Sequence, residues 1–199
     1  MSWERIAPRL EGGIVIVEPL ATAHEAGLWE AASDPRIWTW MPVNAIESRE
    51  TFEGWFAEAL ERTSAGIEQA FAVLAVDTGD PIGSTRFLAL RPEHRGLEIG
   101  WTWLASAAWS TGANAEAKLM LMRHAFEELA CMRVEFKTDA SNERSRAALE
   151  ALPARFEGIF RKHMLVRDGA VRDSAWYAVT DEEWPAVEAN LLERITQSR

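Results

Sequence analysis

Apolar and polar positions alternate with two different periods along the chain, and each change of period marks a new element. Alternation of period two that ends at glycine or aspartate turns predicts strands, and apolar residues three and four positions apart predict helices. Strands are predicted at 14–18, 71–76, 83–90, 97–104, 133–138, 156–166 and 172–179. Helices are predicted at 24–32, from 48, after 112, at 142–152 and from 181. This order predicts an α+β domain around a mixed sheet.

The strand at 97–104 alternates most regularly, and this predicts which residues share a face. The expected apolar face carries Leu97, Ile99, Trp101 and Trp103. The expected opposite face carries Glu98, Gly100 and Thr102.

The long helix predicted after Gly112 has a distinctive start. One stripe of it is expected in the core: Ala115, Leu119, Met122, Phe126 and Leu129. The residues at its start are small or polar: Ser110, Thr111, Gly112, Ala113 and Asn114. Such a start leaves several backbone N–H groups open at the positive end of the helix dipole, which suits a phosphate or pyrophosphate.

Composition narrows the class of protein. The 199 residues are 48% hydrophobic and 26% charged, which predicts one soluble globular domain over 1–199. The net charge of −10 argues against a nucleic-acid binder. No apolar run reaches membrane-spanning length and no signal peptide is recognised, so we expect a cytoplasmic protein without membrane association. A single cysteine, Cys131, excludes a disulfide framework, and four scattered histidines predict no metal site.

Several motifs occur together in a fixed order. They are Gly83-Ser84-Thr85-Arg86-Phe87, the strand from Glu98 to Leu104, the turn and helix from Gly112 to Lys118, Phe156-Glu157-Gly158, Arg172-Asp173-Ser174 and Glu183-Trp184. Over about residues 10–189 the chain resembles the GNAT (Gcn5-related) N-acetyltransferases, and within them the Rim-type ribosomal-protein N-acetyltransferases. The resemblance implies a central mixed, mostly antiparallel sheet flanked by helices. It also implies transfer of an acetyl group from acetyl-CoA to a primary amine, with no metal.

The resemblance places the coenzyme at the glycine turn. The family's pyrophosphate loop aligns with 109–114, where this chain keeps Gly112 but has Trp109 in place of a glutamine or arginine and Asn114 in place of a small residue. Backbone amides of Ser110, Thr111, Gly112 and Ala113 are expected to bind the diphosphate. Asn142 matches the family's asparagine that binds the pantetheine arm, and the N–H of Leu104 is the expected oxyanion donor.

The chemistry requires a base for the amine and an acid for the departing thiolate, because a protonated amine cannot attack a thioester. Glu98 is the candidate base; the alternative is an ordinary solvated or salt-bridged strand glutamate. Many family members use a tyrosine as the acid, but the only tyrosine, Tyr177, lies in the final hairpin. Ser145 is the candidate substitute; the alternative is a serine that satisfies a backbone group in the first turn of a helix.

The acceptor site is expected to be aromatic and acidic. Of ten tryptophans, we expect Trp38, Trp40, Trp55 and Trp101 to form a wall for the acceptor, with acidic residues at the mouth; the alternative is a large aromatic core. The acceptor is a protein N-terminus or a small-molecule amine such as an antibiotic. A non-catalytic acyl-CoA-binding or interaction module on the same fold is the other alternative, and a homodimer is possible.

Overall fold

The computed structural model describes residues 3, 6 and 8–198 and shows one eight-stranded sheet. The strands are β1 (Leu10–Glu11), β2 (Val15–Pro19), β3 (Gln69–Ala75), β4 (Pro81–Arg91), β5 (Gly96–Leu104), β6 (Arg133–Asp139), β7 (Arg155–Leu165) and β8 (Val171–Thr180). The helices are α1 (Glu25–Ala31), α2 (Arg49–Ser64), α3 (Ala113–Arg123), α4 (Glu143–Glu150) and α5 (Trp184–Gln197). The sheet order is β1-β2-β3-β4-β5-β6-β8-β7.

The sheet is mixed and mostly antiparallel, which confirms the predicted fold class. Its one parallel pair, β5 with β6, covers only Gly96–Glu98 against Arg133–Glu135. Beyond this short pair β6 continues beside β8 as far as Asp139, while β5 continues beside β4 as far as Leu104. The two halves of the sheet therefore separate in the middle.

Two hydrophobic cores cover the two faces of the sheet. The first contains α3 and α5, and every member of the predicted α3 stripe is buried in it. The second contains α1 and α2 with Trp38, Trp55 and Trp103. Helix α2 begins after Ser48, whose Oγ accepts the N–H of Thr51 at 3.0 Å, as expected for an N-cap.

The predicted faces of β5 are wrong beyond Gly100. Ser84 of β4 pairs with Trp103 and Arg86 pairs with Gly100, so Thr85 alone lies opposite two residues of β5. The extra residue is a β-bulge at Trp101, whose φ is +50°. Because a bulge shifts the alternation by one position, Leu97 and Ile99 pack in the first core while Trp103 packs in the second.

A buried carboxylate ties the N-terminal strands to the start of α3. Glu116 accepts the N–H groups of Gly13, Ile14 and Val15 at 2.9, 2.6 and 2.8 Å. Its side chain lies so close to Gly12 that a Cβ there would be 2.4 Å from Oε2. Three charge-assisted hydrogen bonds therefore hold the second strand against the first turns of α3.

Cys131 is buried, as predicted, at the junction between α3 and β6. Burial raises the pKa of its thiol to about 12, so it is a packing residue. Within the part of the chain that is described, no helix is long and apolar enough to cross a bilayer. No group of three or more His, Cys, Asp or Glu side chains in that same part is placed to hold a metal ion.

Replacement of Glu116 by glutamine is expected to destabilise the fold by about 2–4 kcal/mol, because the amide turns one acceptor into a donor against backbone N–H groups. The free energy of unfolding from denaturant titration measures this. Glu128→Gln, at an exposed position beyond the same helix, is the control and is expected to change it by less than about 0.5 kcal/mol. Equal effects of the two substitutions would contradict the role of Glu116.

Candidate active site

The separation of β5 from β6 opens a cleft of 890 Å³. Its walls come from β5, from β6, from the starts of α3 and α4 and from the segment 36–42. Leu104 follows Glu98 by six positions along β5, which at the usual rise of a strand is a length of about 20 Å. The cleft thus has one end at Glu98 and the other at the turn before α3.

The turn before α3 has the backbone geometry of an anion site. Ser110 and Gly112 have φ values of +64° and +84°, so the chain bends sharply twice before the helix. The indole of Trp109 donates to the carbonyl of Leu104 at 2.9 Å and fixes the turn to the end of β5. Ser110, Gly112 and Asn114 line the cleft, as expected.

Two residues of the predicted loop lie behind this wall. Thr111 and Ala113 do not line the cleft. The hydroxyl of Thr111 donates to the carbonyl of Ala108, and the N–H of Ala113 lies 3.4 Å from that hydroxyl. The N–H of Ala113 is thus directed at the turn itself, whereas only the side chain of Thr111 is bonded there, and the backbone N–H of Thr111 stays a predicted ligand.

Lys118 brings a positive charge to the start of α3. Helical side chains lean toward the N-terminus, and its Nζ donates to Oδ1 of Asn114 at 2.8 Å. Burial, with the nearby charge of Arg194, lowers the pKa of Lys118 to about 8. A half-buried ammonium without a carboxylate partner is a strong attractor for an anion.

Two guanidinium groups stack on the ring of Trp109, which stands where the family has a glutamine or arginine. The Cζ atom of Arg144 lies 3.7 Å from the centre of its ring, and that of Arg36 lies 5.1 Å away. Such stacking is a cation–π contact. The charge that the sequence lacks at position 109 is thus supplied by residues from the segment 36–42 and from α4.

Charge around the cleft is opposite to the expectation. The basic lining residues are Arg36, Lys118, Lys137, Arg144, Arg172 and Arg194, and the one acidic lining residue is Glu98. Among the described residues, no carboxylate lies within ion-pair distance of Lys118, Arg144 or Arg194. The predicted acidic mouth is therefore wrong: the cleft is basic in a chain of net charge −10.

Leu104 lies where its N–H can face the cleft. The N–H of the following residue, Ala105, bonds to Ile82 beside β4 at 2.7 Å. Because successive amides of a strand point to opposite edges, the N–H of Leu104 points toward the cleft. Leu104 lies at the end of the cleft beside the turn before α3, about 20 Å along β5 from Glu98. Its N–H can therefore reach a ligand near that turn but not an acyl group held at Glu98, and its predicted role as oxyanion donor is corrected.

Asn142 and Ser145 line the cleft together at the start of α4. Oδ1 of Asn142 accepts the N–H of Ser145 at 3.1 Å and caps the helix, which leaves its NH₂ group for a ligand. The hydroxyl of Ser145 makes no hydrogen bond with the described residues. Tyr177 is fully buried, and its hydroxyl bonds to Arg146 and Glu150, away from the cleft lining.

Glu98 is buried and forms an ion pair with Lys137, which excludes the solvated glutamate of the alternative interpretation and agrees with its salt-bridged form. It is 3% exposed, lines the cleft and accepts from Nζ of Lys137 at 3.2 Å. Burial raises the pKa of Glu98, while Lys137 and Arg172 oppose the shift. A Cβ at Gly100 would lie 2.8 Å from Oε1 of Glu98, so glycine there leaves room for the carboxylate.

Of the four tryptophans predicted to form the acceptor wall, two lie in the cleft, and their role toward an acceptor stays a prediction. Trp40 and Trp101 line the cleft. Trp38 and Trp55 do not: they are 1% and 5% exposed and pack against Trp103 in the second core. Their assignment to the acceptor wall is corrected, because both rings are buried in the core and cannot contact a ligand in the cleft.

The structure adds six lining residues that sequence reasoning did not assign to the site: Arg36, Lys118, Lys137, Arg144, Arg172 and Arg194. They come from six separate parts of the chain. Of these six residues, only Lys118 could have been assigned to the site from the local sequence, since it lies off the apolar stripe of α3 and its side chain leans toward the glycine turn.

Comparison with known proteins agrees with this geometry. A model of the acetyltransferase (GNAT) domain matches residues 15–155. The chain belongs to the GNAT acetyltransferase family.

Three relatives illustrate the range of similarity. A GCN5-related N-acetyltransferase from Brucella melitensis is 32% identical, with a TM-score of 0.86 over 93% of this chain and 84% of that one. The uncharacterized N-acetyltransferase p20 of Bacillus licheniformis is 24% identical over 66% of this chain and 73% of its own. Mycobacterium smegmatis RimJ, in complex with CoA-disulfide, shares the fold at 23% identity and a TM-score of 0.76, over 91% of this chain and 89% of that one.

Substitution of Lys137 by glutamine is expected to raise the pKa of Glu98 further, because the ammonium that stabilises the carboxylate is removed. Titration of the carboxyl carbon of Glu98 by NMR measures this pKa. Lys162→Gln, at an exposed position of β7, is the control and is expected to leave it unchanged. A fall in the pKa of Glu98 in Lys137→Gln would contradict the ion pair.

Proposed function

We propose that this protein is an acetyl-CoA-dependent N-acetyltransferase that transfers the acetyl group directly to a primary amine in a ternary complex. The main support for this proposal is the distribution of charge along the cleft. Among the described residues, three cations without a carboxylate partner line the cleft at the end that holds the N-terminal turn of α3, and a buried carboxylate with a raised pKa lies at the other end.

The residues at the helix end fit the phosphates of coenzyme A. Lys118, Arg144 and Arg194 are cations without carboxylate partners among the described residues, and the turn at Ser110 and Gly112 adds backbone donors. A polyanionic ligand would neutralise charges that otherwise face one another across the cleft. RimJ of M. smegmatis, which shares the fold, was solved with CoA-disulfide, and this supports the assignment.

The edge of β5 fits the pantetheine arm. Beyond Glu98, β5 has no strand partner on the side of β6, so its backbone groups there need other hydrogen bonds. An extended ligand with amide groups can bond to such an edge as an added strand would. The NH₂ group of Asn142 offers a donor from the opposite wall.

The end at Glu98 fits the transfer step. The thioester of acetyl-CoA supplies the acetyl group: the amine nitrogen bonds to the acyl carbon, the carbon–sulfur bond breaks, and one proton moves from nitrogen while sulfur gains one. Glu98 receives the amine proton, because burial raises its pKa toward that of a useful base. The hydroxyl of Ser145 donates toward sulfur.

The test is release of free thiol from acetyl-CoA in the presence of a broad panel of primary amines. Glu98→Gln is expected to lower kcat about 10²- to 10⁴-fold, the usual contribution of a general base, with an almost unchanged Kd for acetyl-CoA. Glu128→Gln is the matched control. Binding of acetyl-CoA without turnover on any amine would favour a non-catalytic acyl-CoA-binding module instead.

Gly112→Ala is expected to weaken acetyl-CoA binding about tenfold or more, because a Cβ there meets Ile14 and Ser198 at 3.0 and 3.1 Å and shifts the turn. Gly66→Ala is a matched control, since Gly66 has a similar φ of +69° and no atom within 4 Å of its Cβ. Calorimetry measures both affinities. If both substitutions cost the same affinity, the turn is not the phosphate site.

The affinity for acetyl-CoA is expected to fall as pH rises through the pKa of Lys118, which is about 8. Phosphate favours the charged ammonium, so binding takes up protons above that pH, and about tenfold in affinity is lost between pH 7 and pH 9. Lys118→Met is expected to bind more weakly at pH 7 and to lose this dependence, whereas the exposed Lys162→Met keeps it. The same slope in Lys118→Met would exclude Lys118 as its source.

A further inference from the structure

Arg172 on β8 is a buried cation that forms a long ion pair with Asp139 but makes no hydrogen bond with the described residues. Its side chain is 6% exposed, and the nearest carboxylate, Asp139, lies 3.9 Å from Nε, beyond hydrogen-bond distance. Nε is closed off by its neighbours and makes no hydrogen bond. Nη1 and Nη2 also make no hydrogen bond with the described residues, but unlike Nε they are not fully enclosed and can reach the cleft.

This arrangement is costly for a protein alone. A buried guanidinium normally has its donors satisfied, because each unpaired donor loses the hydrogen bonds it had in water. Arg172 lines the cleft, so the missing partner can come from a ligand. The two terminal nitrogens of a guanidinium form a planar fork that matches the two oxygens of a carboxylate.

Arg172 lies at the acceptor end of the cleft. Its guanidinium lies beside Asp139 of β6, two residues beyond Lys137, whose Nζ bonds to Glu98. Both Arg172 and Glu98 line this cleft. Lys137, the other cation there, is already bonded to Glu98. Arg172 is thus the cation at this end that has donors to spare.

Arg86, on β4, is the other buried guanidinium with unpaired nitrogens, but it offers no such fork. Its Nε and Nη2 are closed off, its Nη1 donates to Glu68 at 2.5 Å, and the rings of Trp55 and Trp101 lie 5.4 and 4.8 Å from its Cζ. Arg86 is held by core packing, whereas Arg172 faces the space that an acceptor would occupy.

We propose that the acceptor is a small amine that carries a carboxylate, of the amino-acid class, and that Arg172 binds this carboxylate while the amine lies at Glu98. This inference rests on the proposed acetyltransferase function and narrows its substrate. The N-terminal residue of a protein has a neutral amide where an amino acid has its carboxylate, and so would leave the Arg172 fork unpaired.

The experiment compares matched pairs of acceptors with acetyl-CoA. The twenty common amino acids and β-alanine are each assayed beside the corresponding carboxamide, together with a peptide that has a free N-terminus, and kcat/KM is obtained from thiol release. The carboxylate is expected to be preferred by about 10- to 100-fold in the best pair, the range of a charge-assisted hydrogen bond to a buried partner. 2-Aminoethylphosphonate beside β-alanine separates a carboxylate site from a general oxyanion site.

Variants then assign the preference to one side chain. Arg172→Gln is expected to raise KM for the carboxylate with little change for the carboxamide, so that the preference disappears. Arg172→Lys keeps the charge without the fork and is expected to retain part of the preference. Arg161→Gln, an exposed arginine on β7 outside the cleft lining, is the control with the same change of charge. Melting temperatures and Kd for acetyl-CoA establish that each variant is folded.

The possible results distinguish a failure of the proposed acceptor from a failure of the proposed acetyltransferase function. Equal use of carboxylate and carboxamide, a higher kcat/KM for the peptide, or a preference for the phosphonate would overturn the assignment while the acetyltransferase function stands. A preference that survives in Arg172→Gln would overturn the role of this residue. Absence of thiol release with every amine, neutral ones included, would instead remove the proposed function and this inference with it.

Discussion

The separation of β5 from β6 is the constraint on which the site depends. The two strands pair over three residues each, and then each follows its other neighbour: β4 on one side and β8 on the other. A sheet that opens in this way exposes strand edges, and exposed edges require hydrogen-bond partners. The bulge at Trp101 lies on the open part of β5, where it turns Trp103 into the second core. The same local irregularity thus shapes both the cleft and the packing behind it.

Local and global charge have opposite signs in this molecule. The net charge of the chain is −10, yet one cleft is lined by six basic side chains and a single buried acid. Charges that are half-buried and near one another interact more strongly than charges in water; burial first, and then the nearby charge of Arg194, lowers the pKa of Lys118. Such a cleft favours a specific anionic ligand, while the acidic remainder of the surface repels other polyanions.

The sequence predicted the elements more accurately than the site. The strands, the α3 stripe and the glycine turn were confirmed because each depends on contacts between residues close in sequence. The faces of β5 were wrong because a bulge needs only one extra residue and leaves the hydrophobic pattern intact. Trp38 and Trp55 were placed in the acceptor site wrongly, because the sequence spacing of a tryptophan is the same whether its ring packs in a core or lines a cleft. The basic lining residues were missed because the fold alone brings them together. The roles of Glu98 and Ser145 in catalysis stay predictions.

The bonds from Glu116 to the amides of Gly13, Ile14 and Val15 have a consequence for ligand recognition. They anchor α3 two turns or less from its glycine start, and the last turn of α5 packs against that start through Ser198. The orientation of the turn is therefore set during folding and not by the ligand. A preorganised anion site loses little conformational entropy on binding, so we expect its backbone order and hydrogen-exchange protection to be nearly the same in the free and bound states.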